Sequence, residues 1–348
     1  MIKVDIKEYT LEFKIPAGTS RGVYTTKDSF FIILTDDKGN LGIGECGILR
    51  GLSCDDRPGY RDKLKEVSDN ISHYLNNIDK LADWPSIRFG LETAKRSYES
   101  SNAEVLYKSS FVEGNTPIPI NGLIWMGKPS FMQAQIEDKL KNNFACVKLK
   151  IGAIDFEEEY HILRDIRKRY NSSDLEIRVD ANGAFLPKNA LSKLDRLAKL
   201  DIHSIEQPIA AKQFEEMSKL IKNTPLPIAL DEELIGVNKL EDKENLLTFL
   251  NPQYFILKPS LIGGICACEE WIALAERMNI PWWATSALES NIGLNAIAQW
   301  VFVKKNKMIQ GLGTGSLYTN NFDSPLTVEK GALYYMNSKE WDYSNLGI

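Results

Sequence analysis

The amino-acid sequence of 348 residues predicts an α/β protein in which a parallel βα barrel follows a smaller α+β unit. Three observations lead to this fold class. Up to about residue 116 the pattern is that of antiparallel strands followed by helices, whereas from residue 117 short apolar segments alternate with amphipathic helices. Several of these apolar segments end in a charged residue, as strands do at the mouth of a barrel. The Gly-x-Gly-x-x-Gly motif of dinucleotide-binding sheets does not follow the first strand.

The N-terminal unit begins with an alternation of polar and apolar residues from residue 3 to about residue 46, which predicts antiparallel strands. Residues 36–40, Asp-Asp-Lys-Gly-Asn, are a turn signal inside this alternation. Helical patterns follow at residues 60–77 and 86–100. Strands followed by helices in this way indicate an α+β unit.

The segment 113–117, Glu-Gly-Asn-Thr-Pro, has the composition of a linker and divides the chain. We predict a first domain over residues 1–115 and a barrel domain over residues 116–315. The barrel strands share a short apolar run before a turn signal, and we place them at residues 118–121, 145–150, 175–180, 203–206, 227–231, 254–258, 281–285 and 308–312. Helical patterns lie between most of these strands, for example at residues 155–170, 187–200, 211–222 and 266–278.

Composition and charge exclude several functional classes. An apolar fraction of 43% and a charged fraction of 26% are ordinary for a globular domain, and a net charge of −5 is too mild for a nucleic-acid-binding surface. No apolar run approaches the roughly 20 residues of a membrane-spanning helix. The first six residues predict a strand and lack the apolar core of a signal peptide, so we expect a cytoplasmic protein. The expected partner is a small-molecule carboxylate rather than nucleic acid or a membrane, and a homo-oligomer is left open.

Cysteine and histidine do not form a recognisable metal site. The five cysteines are scattered, and Cys266 and Cys268 have the wrong spacing for a zinc knuckle. We expect the cysteines to be small, buried hydrophobic side chains. The three histidines share no ligand spacing, and we interpret His203, which precedes a predicted strand end, as structural or exposed.

Five successive predicted strands end in charged residues, in the order Lys150, Asp180, Glu206, Asp231 and Lys258. In a βα barrel the carboxyl ends of the strands converge on one mouth, where active sites form. Three carboxylates that lie so close repel each other unless a cation is present, and all-oxygen ligands suit Mg²⁺. Taken singly, a strand-end Asp is most often a helix N-cap, and a strand-end lysine is most often solvated. Five such residues in order are hard to explain in that way, and we interpret them as an active site.

Lys148 belongs to the same predicted strand as Lys150. Side chains along a strand alternate with a period of two, so both lysines point to the same face, which we expect to be the inside of the barrel. Two buried ammonium groups are costly unless anions lie beside them. The carboxylates at the neighbouring strand ends are the anions that we expect there.

Five short runs carry a specific resemblance to a known family. They are Lys148-Leu-Lys150, Val179-Asp180-Ala-Asn182-Gly, Ile205-Glu206-Gln-Pro208, Asp231-Glu232 and Lys258-Pro259. In this order they resemble the signature of the enolase superfamily, muconate-lactonising subgroup. The resemblance implies a modified TIM barrel, (β/α)₇β, with an α+β capping domain that the C-terminal tail, residues 316–348, completes. It covers nearly the whole chain, and the barrel half carries its specificity.

Carried over position by position, the resemblance implies a role for each charged residue. Asp180, Glu206 and Asp231 would be the three metal ligands. The catalytic lysines would be Lys148, Lys150 and Lys258, and Asn182 and Glu232 would lie behind the ligands. The metal would be Mg²⁺, with Mn²⁺ as a substitute. The step that such enzymes share is the removal of a proton α to a carboxylate, whose developing charge the metal stabilises. A lysine that acts as the base needs a lowered pKa.

Two downstream segments bear on the reaction. The subgroup includes o-succinylbenzoate synthases, N-acylamino acid racemases, dipeptide epimerases and muconate cycloisomerases. Residues 285–294, Thr-Ser-Ala-Leu-Glu-Ser-Asn-Ile-Gly-Leu, are similar to the serine-rich segment of the synthases. Residues 311–315, Gly-Leu-Gly-Thr-Gly, lie where dipeptide epimerases carry an Asp-x-Asp pair for a substrate ammonium, and their backbone N–H groups suit an anion instead. An ordinary glycine turn that closes the barrel is the alternative for this segment.

The expected reaction is therefore the dehydration of 2-succinyl-6-hydroxy-2,4-cyclohexadiene-1-carboxylate to 2-succinylbenzoate in menaquinone biosynthesis, by a carbon–oxygen lyase. Lys150 would remove the α-proton, and cationic Lys258 would stabilise the enediolate from the opposite face. Segments 19–22 and 47–53 are expected to be mobile cap loops that close over the succinyl arm. The residues expected to bind the substrate are Ser286, Gly311, Gly313, Thr314 and Arg21.

Two alternatives stay open at this point. An N-acylamino acid racemase, or another epimerase of the subgroup, would use the same five strand-end residues with both lysines as bases. A non-catalytic barrel that binds a metabolite is the second alternative, although buried charges in this order argue against it.

Overall fold

The computed structural model describes residues 2–19 and 22–348. The chain begins with an antiparallel sheet in the order β1–β2–β3, whose strands are β1 (Lys3–Thr19), β2 (Gly22–Thr35) and β3 (Leu41–Cys46). The predicted turn joins β2 to β3. Asp36 shapes this turn, because its carboxylate accepts the backbone N–H groups of Lys38 and Asn40.

Three helices pack against this sheet, and they are α1 (Tyr60–Asp69), α2 (Ile71–Asn76) and α3 (Pro85–Glu99). Sheet and helices share one apolar core, to which Phe30 and Leu64 belong. Helix α3 approaches β3 closely, since a Cβ atom on Gly44 would lie 1.9 Å from the carbonyl oxygen of Gly90. The predicted α+β unit is thus confirmed, although its first helical pattern is interrupted at Asn70, between α1 and α2.

Seven parallel strands form the barrel wall after the short strand β4 (Ile118–Pro119). They are β5 (Gly122–Ile124), β6 (Cys146–Lys150), β7 (Glu176–Asp180), β8 (Ser204–Glu206), β9 (Ile228–Leu230), β10 (Tyr254–Leu257) and β11 (Trp282–Ala284). Gln310 pairs with Ile120, and Gly311 pairs with Thr285, so these two residues close the barrel. The predicted strand at 308–312 is therefore reduced to two bridges, and the first barrel strand lies later than predicted, at β5.

Helices follow the barrel strands, and they are α4 (Pro129–Lys141), α5 (Phe156–Arg169), α6 (Pro187–Ala198), α7 (Phe214–Asn223), α8 (Leu240–Leu250), α9 (Pro259–Ile262), α10 (Gly264–Met278) and α11 (Asn291–Val303). Proline is the first residue of α4, α6 and α9. At that position a backbone N–H group would have no hydrogen-bond partner within the helix, so its absence in proline costs nothing. Helix α5 begins one residue later than predicted, because Asp155 is its N-cap and accepts the N–H of Glu157 at 2.9 Å. Among the described helices, none combines the length and apolar character that crossing a bilayer requires.

The C-terminal tail contacts both parts of the molecule. Its strands, β12 (Leu326–Glu329) and β13 (Ala332–Tyr335), form a small antiparallel sheet with β4. Phe13 of β1 forms a bridge with Tyr318, and the rings of Phe31 and Phe322 pack with their centroids 5.2 Å apart. The tail thus joins the first sheet to the barrel, as a segment that completes the cap would. The domain boundaries after residues 115 and 315 stay predictions.

Candidate active site

The charged strand ends lie in one row across the barrel mouth. In the parallel register Lys150 of β6 pairs with Asp180 of β7, and Asp180 pairs with Glu206 of β8. Asp231 directly follows β9, and Lys258 directly follows β10. Strands β6 and β10 are the second and sixth positions around a barrel of seven strands and one closing segment. The two lysines Lys150 and Lys258 therefore lie on opposite sides of the mouth.

Buried ion pairs hold one side of this row together. Lys148 Nζ lies 2.9 Å from Asp180 Oδ2 and 2.6 Å from Glu206 Oε2. Lys150 Nζ lies 2.6 Å from the same Asp180 oxygen. Burial alone would raise the pKa of Asp180, but the three ammonium groups of Lys148, Lys150 and Lys258 outweigh burial and hold it well below its usual range. Asp180 is therefore an ionised carboxylate.

The donor set suits a hard divalent cation, because it consists of carboxylate oxygens at the ends of three adjacent strands. Lys148 already bridges Asp180 and Glu206. On the other side Lys258 forms an ion pair with Asp231, and its Nζ lies 3.5 Å from Glu206 Oε1. Each neighbouring pair of acids thus converges on one cationic nitrogen.

The described residues contain no group of three or more His, Cys, Asp or Glu side chains placed around a common point. The lysine nitrogens lie between the acids instead. The acids therefore fit a cation by chemical type, and the assignment of Asp180, Glu206 and Asp231 as its ligands stays a prediction.

Asn182 connects the row of charged strand ends to Glu232, in the loop after β9. Its Oδ1 accepts a hydrogen bond from Lys150 Nζ at 2.8 Å, and its backbone N–H donates to Asp180 Oδ1 at 3.0 Å. Its Nδ2 donates to Glu232 Oε1 at 3.0 Å. Its φ of 44° is left-handed, a conformation that asparagine tolerates better than most residues. The structure thus brings together Asn182 and Glu232, the two residues expected behind the ligands.

The two opposing lysines differ in their electrostatic surroundings. Burial lowers the pKa of Lys150, and the ammonium groups of Lys148 and Lys258 add to this against the attraction of Asp180. Burial alone would also lower the pKa of Lys258, but the surrounding carboxylates, of which Asp231 contributes most, together outweigh burial and raise it. Lys150 is therefore the better proton acceptor, and Lys258 is held as an ammonium ion.

Gln207 and Glu233 were not identified from the sequence, although each adjoins a predicted site residue. Gln207 Nε2 donates to Glu233 Oε2 at 2.7 Å, and Gln207 Oε1 accepts the backbone N–H of Asp231 at 3.2 Å. Glu233 Oε1 accepts the backbone N–H of Lys212 at 2.7 Å. These bonds tie the loop after β8 to the loop after β9. The only sequence signal was their position beside the charged strand ends.

Three of the five cysteines are buried and two are exposed, so the prediction that the cysteines are buried is wrong for two of them. Cys46, Cys146 and Cys268 are buried, whereas Cys54 and Cys266 are exposed, because they lie on loop and helix surfaces. His203, interpreted as structural or exposed, is half-buried.

A cavity that opens to solvent lies beside Lys148, Lys150 and Lys258. Four residues that were predicted to bind the substrate also line this cavity, and they are Ser286, Gly311, Gly313 and Thr314. The fifth, Arg21, lies outside the described residues, as does Ser20 of the predicted loop 19–22.

The rest of the cavity wall is mostly apolar. Leu49 and Leu52 come from the predicted cap loop 47–53. Thr285, Ala287 and Leu288 come from the segment 285–294 that was identified by resemblance. The remaining lining residues were not identified from the sequence, and they are Tyr24, Asn121, Leu123, Trp125 and Leu261. Hydrophobic periodicity predicts that such side chains are buried, but not that they share one cavity.

The glycine-rich segment has two functions in the structure. A Cβ atom on Gly311 would lie 2.5 Å from Thr285 Oγ1, so this glycine is needed to close the barrel, as the alternative explanation stated. A Cβ atom on Gly313 would meet nothing closer than Ile120 at 3.5 Å, so Gly313 leaves room beside the cavity. Thr314 Oγ1 donates a hydrogen bond to Ser286 Oγ at 2.8 Å.

Comparison with known proteins identifies the family and confirms the predicted fold class. Residues 132–338 match the family described as Enolase C-terminal domain-like. A relative named o-succinylbenzoate synthase, from Desulfotalea psychrophila, is 44% identical over 95% of this chain and 98% of its own. The crystal structure of MenC from Desulfotalea psychrophila LSv54 matches with a TM-score of 0.84 at 40% identity, over 96% of this chain and 99% of that one. A muconate lactonizing enzyme from Pseudomonas fluorescens shares the fold, with a TM-score of 0.80 at 22% identity over 100% and 97% of the two chains. The chain therefore belongs to the enolase superfamily.

Proposed function

We propose that this chain is an o-succinylbenzoate synthase, a carbon–oxygen lyase that dehydrates 2-succinyl-6-hydroxy-2,4-cyclohexadiene-1-carboxylate to 2-succinylbenzoate. One observation carries the proposal. Lys150 and Lys258 line one cavity from opposite sides, in a chain that is 44% identical over 95% of its length to a protein of that name. The reaction would be a step of menaquinone biosynthesis in the cytoplasm.

Asp180, Glu206 and Asp231 would hold the divalent cation, for which we propose Mg²⁺ with Mn²⁺ as a substitute. When bound, such a cation supplies positive charge to the substrate carboxylate and stabilises the negative charge that develops there. Asn182 would keep Asp180 in place through its backbone N–H, and Glu232 would in turn hold the amide of Asn182.

Lys150 would remove the proton α to the ring carboxylate of the substrate. This step requires a neutral amine, and burial together with Lys148 lowers the pKa of Lys150 in that direction. The electron pair of the broken C–H bond enters the enediolate and then expels hydroxide from the hydroxyl-bearing carbon, which makes the ring aromatic. The proton held by Lys150 leaves with this hydroxide as water, and the neutral amine is restored.

Lys258 would stay cationic and stabilise the enediolate from the opposite face of the ring. Burial alone would lower its pKa, but the surrounding carboxylates, with Asp231 and Glu206 first among them, together outweigh burial and raise it. An ammonium group that keeps its proton cannot act as a second base. A dehydration needs only one base, whereas a racemisation needs two.

The succinyl arm would lie along the cap side of the cavity. Its methylene groups would contact Leu49 and Leu52, which are apolar and line the cavity. Arg21 of the loop 19–22 would add a positive charge for the anionic arm. The distal carboxylate would lie at the wall formed by Ser286, Gly311, Gly313 and Thr314.

N-acylamino acid racemase activity is the second candidate. It is favoured by the placement of a lysine on each side of the cavity, which would let one base remove the α-proton and the other return it. A relative named N-succinyl-L-Arg/Lys racemase, from Bacillus cereus, is 23% identical over 85% of this chain.

The test is an assay of the purified chain with the cyclohexadiene substrate and Mg²⁺, followed by the loss of the diene's ultraviolet absorbance. We expect turnover that a chelator abolishes and that added Mg²⁺ restores. Exchange of the α-proton of N-succinyl amino acids in D₂O, without any dehydration, would favour the racemase instead. Failure to turn over either substrate with Mg²⁺ or Mn²⁺ would favour a non-catalytic barrel.

A further inference from the structure

A buried network of hydroxyl and carboxylate groups connects the cap to the cavity wall, and Glu289 lies at its centre. The Glu289 side chain is fully buried, and it follows β11 in the serine-rich segment 285–294. It does not line the cavity itself. Both of its carboxylate oxygens are nevertheless bonded to residues next to the cavity.

Glu289 connects two strand ends. Its Oε1 accepts a hydrogen bond from the hydroxyl group of Ser260, two residues after Lys258. Its Oε2 accepts hydrogen bonds from the hydroxyl group of Ser286 and, at 2.7 Å, from the backbone N–H of Ala287. Because both oxygens belong to one rigid carboxylate, the turn after β10 is held at a set distance from the loop after β11.

Ser286 extends the network into the cavity wall. Its hydroxyl group donates to Glu289 and accepts the hydroxyl of Thr314 at 2.8 Å, and both side chains line the cavity. The backbone N–H of Glu289 also donates to Ser286 Oγ, at 3.3 Å. Bonds in three directions therefore determine the orientation of the Ser286 hydroxyl group.

Glu45 connects the cap to this network, because its Oε2 accepts the backbone N–H of Ser290, the residue after Glu289, at 2.9 Å. Lys27 in turn pairs with Glu45. Its buried ammonium group donates to Ser29 Oγ at 2.8 Å and to Glu45 Oε1 at 3.5 Å. Burial raises the pKa of Glu289, and the charge of Lys27 opposes this rise. The cap is thus bonded, through Glu45, to the segment that carries Glu289.

We propose that Glu289 is a positioning residue for the function proposed above, on which this inference rests. Through Ser260 it places the turn that carries Lys258, and through Ser286 it places the wall that receives the distal carboxylate. A charge that stabilises a developing enediolate acts over short distances, so a small displacement of Lys258 lowers the rate.

The two connections of Glu289 act on different kinetic constants. Ser260→Ala releases the Lys258 turn, whose charge acts in the transition state, so kcat should fall roughly tenfold while KM is unchanged. Ser286→Ala alters the wall and should raise KM roughly tenfold. Glu289→Gln, which keeps the shape of the side chain, should lower kcat/KM roughly ten- to hundredfold by both routes.

A double-mutant cycle distinguishes positioning from a general loss of packing. If Glu289 acts through Ser260, then adding Ser260→Ala to Glu289→Gln should cost less than about a further threefold in kcat. Asp55→Asn is the matched control, because Asp55 is a buried carboxylate that accepts the hydroxyl and the backbone N–H of Ser86 inside the cap. We expect kcat and KM within about twofold of wild type for this control. Additive effects in the cycle, or equal kinetic losses in the control, would overturn the inference.

A binding measurement tests the same residue without turnover. Calorimetric titration with 2-succinylbenzoate should show roughly tenfold weaker binding to Glu289→Gln, whereas benzoate, which lacks the arm, should bind both proteins equally. If the wild type does not dehydrate the substrate, and Glu289→Gln still binds 2-succinylbenzoate more weakly than the wild type does, the positioning is supported and the proposed function is rejected. If the wild type is active and Glu289→Gln equals it in both assays, the inference about Glu289 is overturned and the proposed function is not. A wild type that is inactive and binds neither acid would overturn both.

Discussion

The carboxylate of Glu45 belongs to the cap sheet, yet it binds the first turn of barrel helix α11. Its Oε2 accepts the backbone N–H groups of Ser290 at 2.9 Å and of Gly293 at 3.1 Å, and the hydroxyl of Ser290 at 2.6 Å. Its Oε1 accepts the hydroxyl of Ser29 at 2.7 Å and lies 3.5 Å from Lys27 Nζ. The dipole of the helix favours negative charge at this end. The substitution Glu45→Gln removes that charge and nearly preserves the shape.

The expected loss of stability follows from these contacts. A hydrogen bond to a charged group contributes about 1.5–3 kcal/mol and one between neutral groups about 0.5–1.5 kcal/mol, so neutralising Glu45 weakens each of its bonds by about 1 kcal/mol. The substitution also leaves the buried ammonium of Lys27 without the carboxylate of its ion pair, which is destabilising by itself. Because four hydrogen bonds to Glu45 are weakened, from Ser29, Gly293 and twice from Ser290, we expect the free energy of unfolding to fall by about 4 kcal/mol or more.

Urea unfolding followed by circular dichroism measures this loss. Glu12→Gln is the control, since Glu12 is an exposed carboxylate on β1 of the same sheet, and we expect it to change stability by less than about 0.5 kcal/mol. A loss below about 1 kcal/mol for Glu45→Gln, or equal losses for both variants, would refute the reasoning that the charge at the α11 terminus holds the cap.

Three further predictions concern the lysines and a buried carboxyl group of the cap. Lys150→Ala should lower kcat at least about a thousandfold while calorimetry still detects Mg²⁺ binding, and retained activity would exclude Lys150 as the base. Lys258→Ala should be comparably damaging in the same assay, and a loss below about tenfold would contradict stabilisation from the opposite face. Burial raises the pKa of Asp55 to about 6, above the value of about 3.9 in the unfolded chain, so the stability that Asp55 contributes is fully present below about pH 4 and is lost as the pH rises through about 6. Compared with Asp55→Asn, the wild type should therefore lose about 3 kcal/mol of unfolding free energy between pH 4 and 7, and a pH-independent difference would contradict the raised pKa.

The charged row could be predicted from the sequence because each of its members has a local signature. An apolar run that ends in one charged residue before a turn marks a strand end, and parallel strands bring such ends to one side. The pairing of Lys150, Asp180 and Glu206 in neighbouring strands follows from this rule. The inward direction of Lys148 follows from the period of two along β6.

Strand limits were less predictable, because short strands depend on the partners that pair with them. The closing segment has only Gln310 and Gly311 in bridges, and their partners Ile120 and Thr285 are distant in the chain. Local pattern gives no information on such partners. The interruption between α1 and α2 has a local cause, because Asn70 is the C-cap of α1 and its backbone N–H donates to the carbonyl oxygen of Glu66. The apolar pattern in the sequence continues across Asn70, so the interruption was not predicted.

The buried network could not be predicted for the same reason. Glu45 and Ser290 are 245 positions apart, and neither position has a pattern that distinguishes it from other polar residues of a strand or loop. Glu289 was part of a segment identified by resemblance, but its bond to Ser260 depends on the spatial proximity of β10 and β11. The general lesson is that residue types at strand ends predict the chemistry, whereas the supports of those residues require coordinates.

Two carboxylates of the cap are docked on consecutive barrel helices. Glu45 accepts N–H groups at the start of α11, and Glu92 of α3 accepts the N–H of Ile265, at the start of α10, at 2.6 Å. These helices follow β11 and β10, whose ends carry Ser286 and Lys258. The cap that supplies the apolar side of the cavity is therefore fixed to the same elements that place the cationic lysine. Because one set of buried charges serves both purposes, a substitution that loosens the cap is expected to disturb the placement of Lys258 as well as the binding of the succinyl arm.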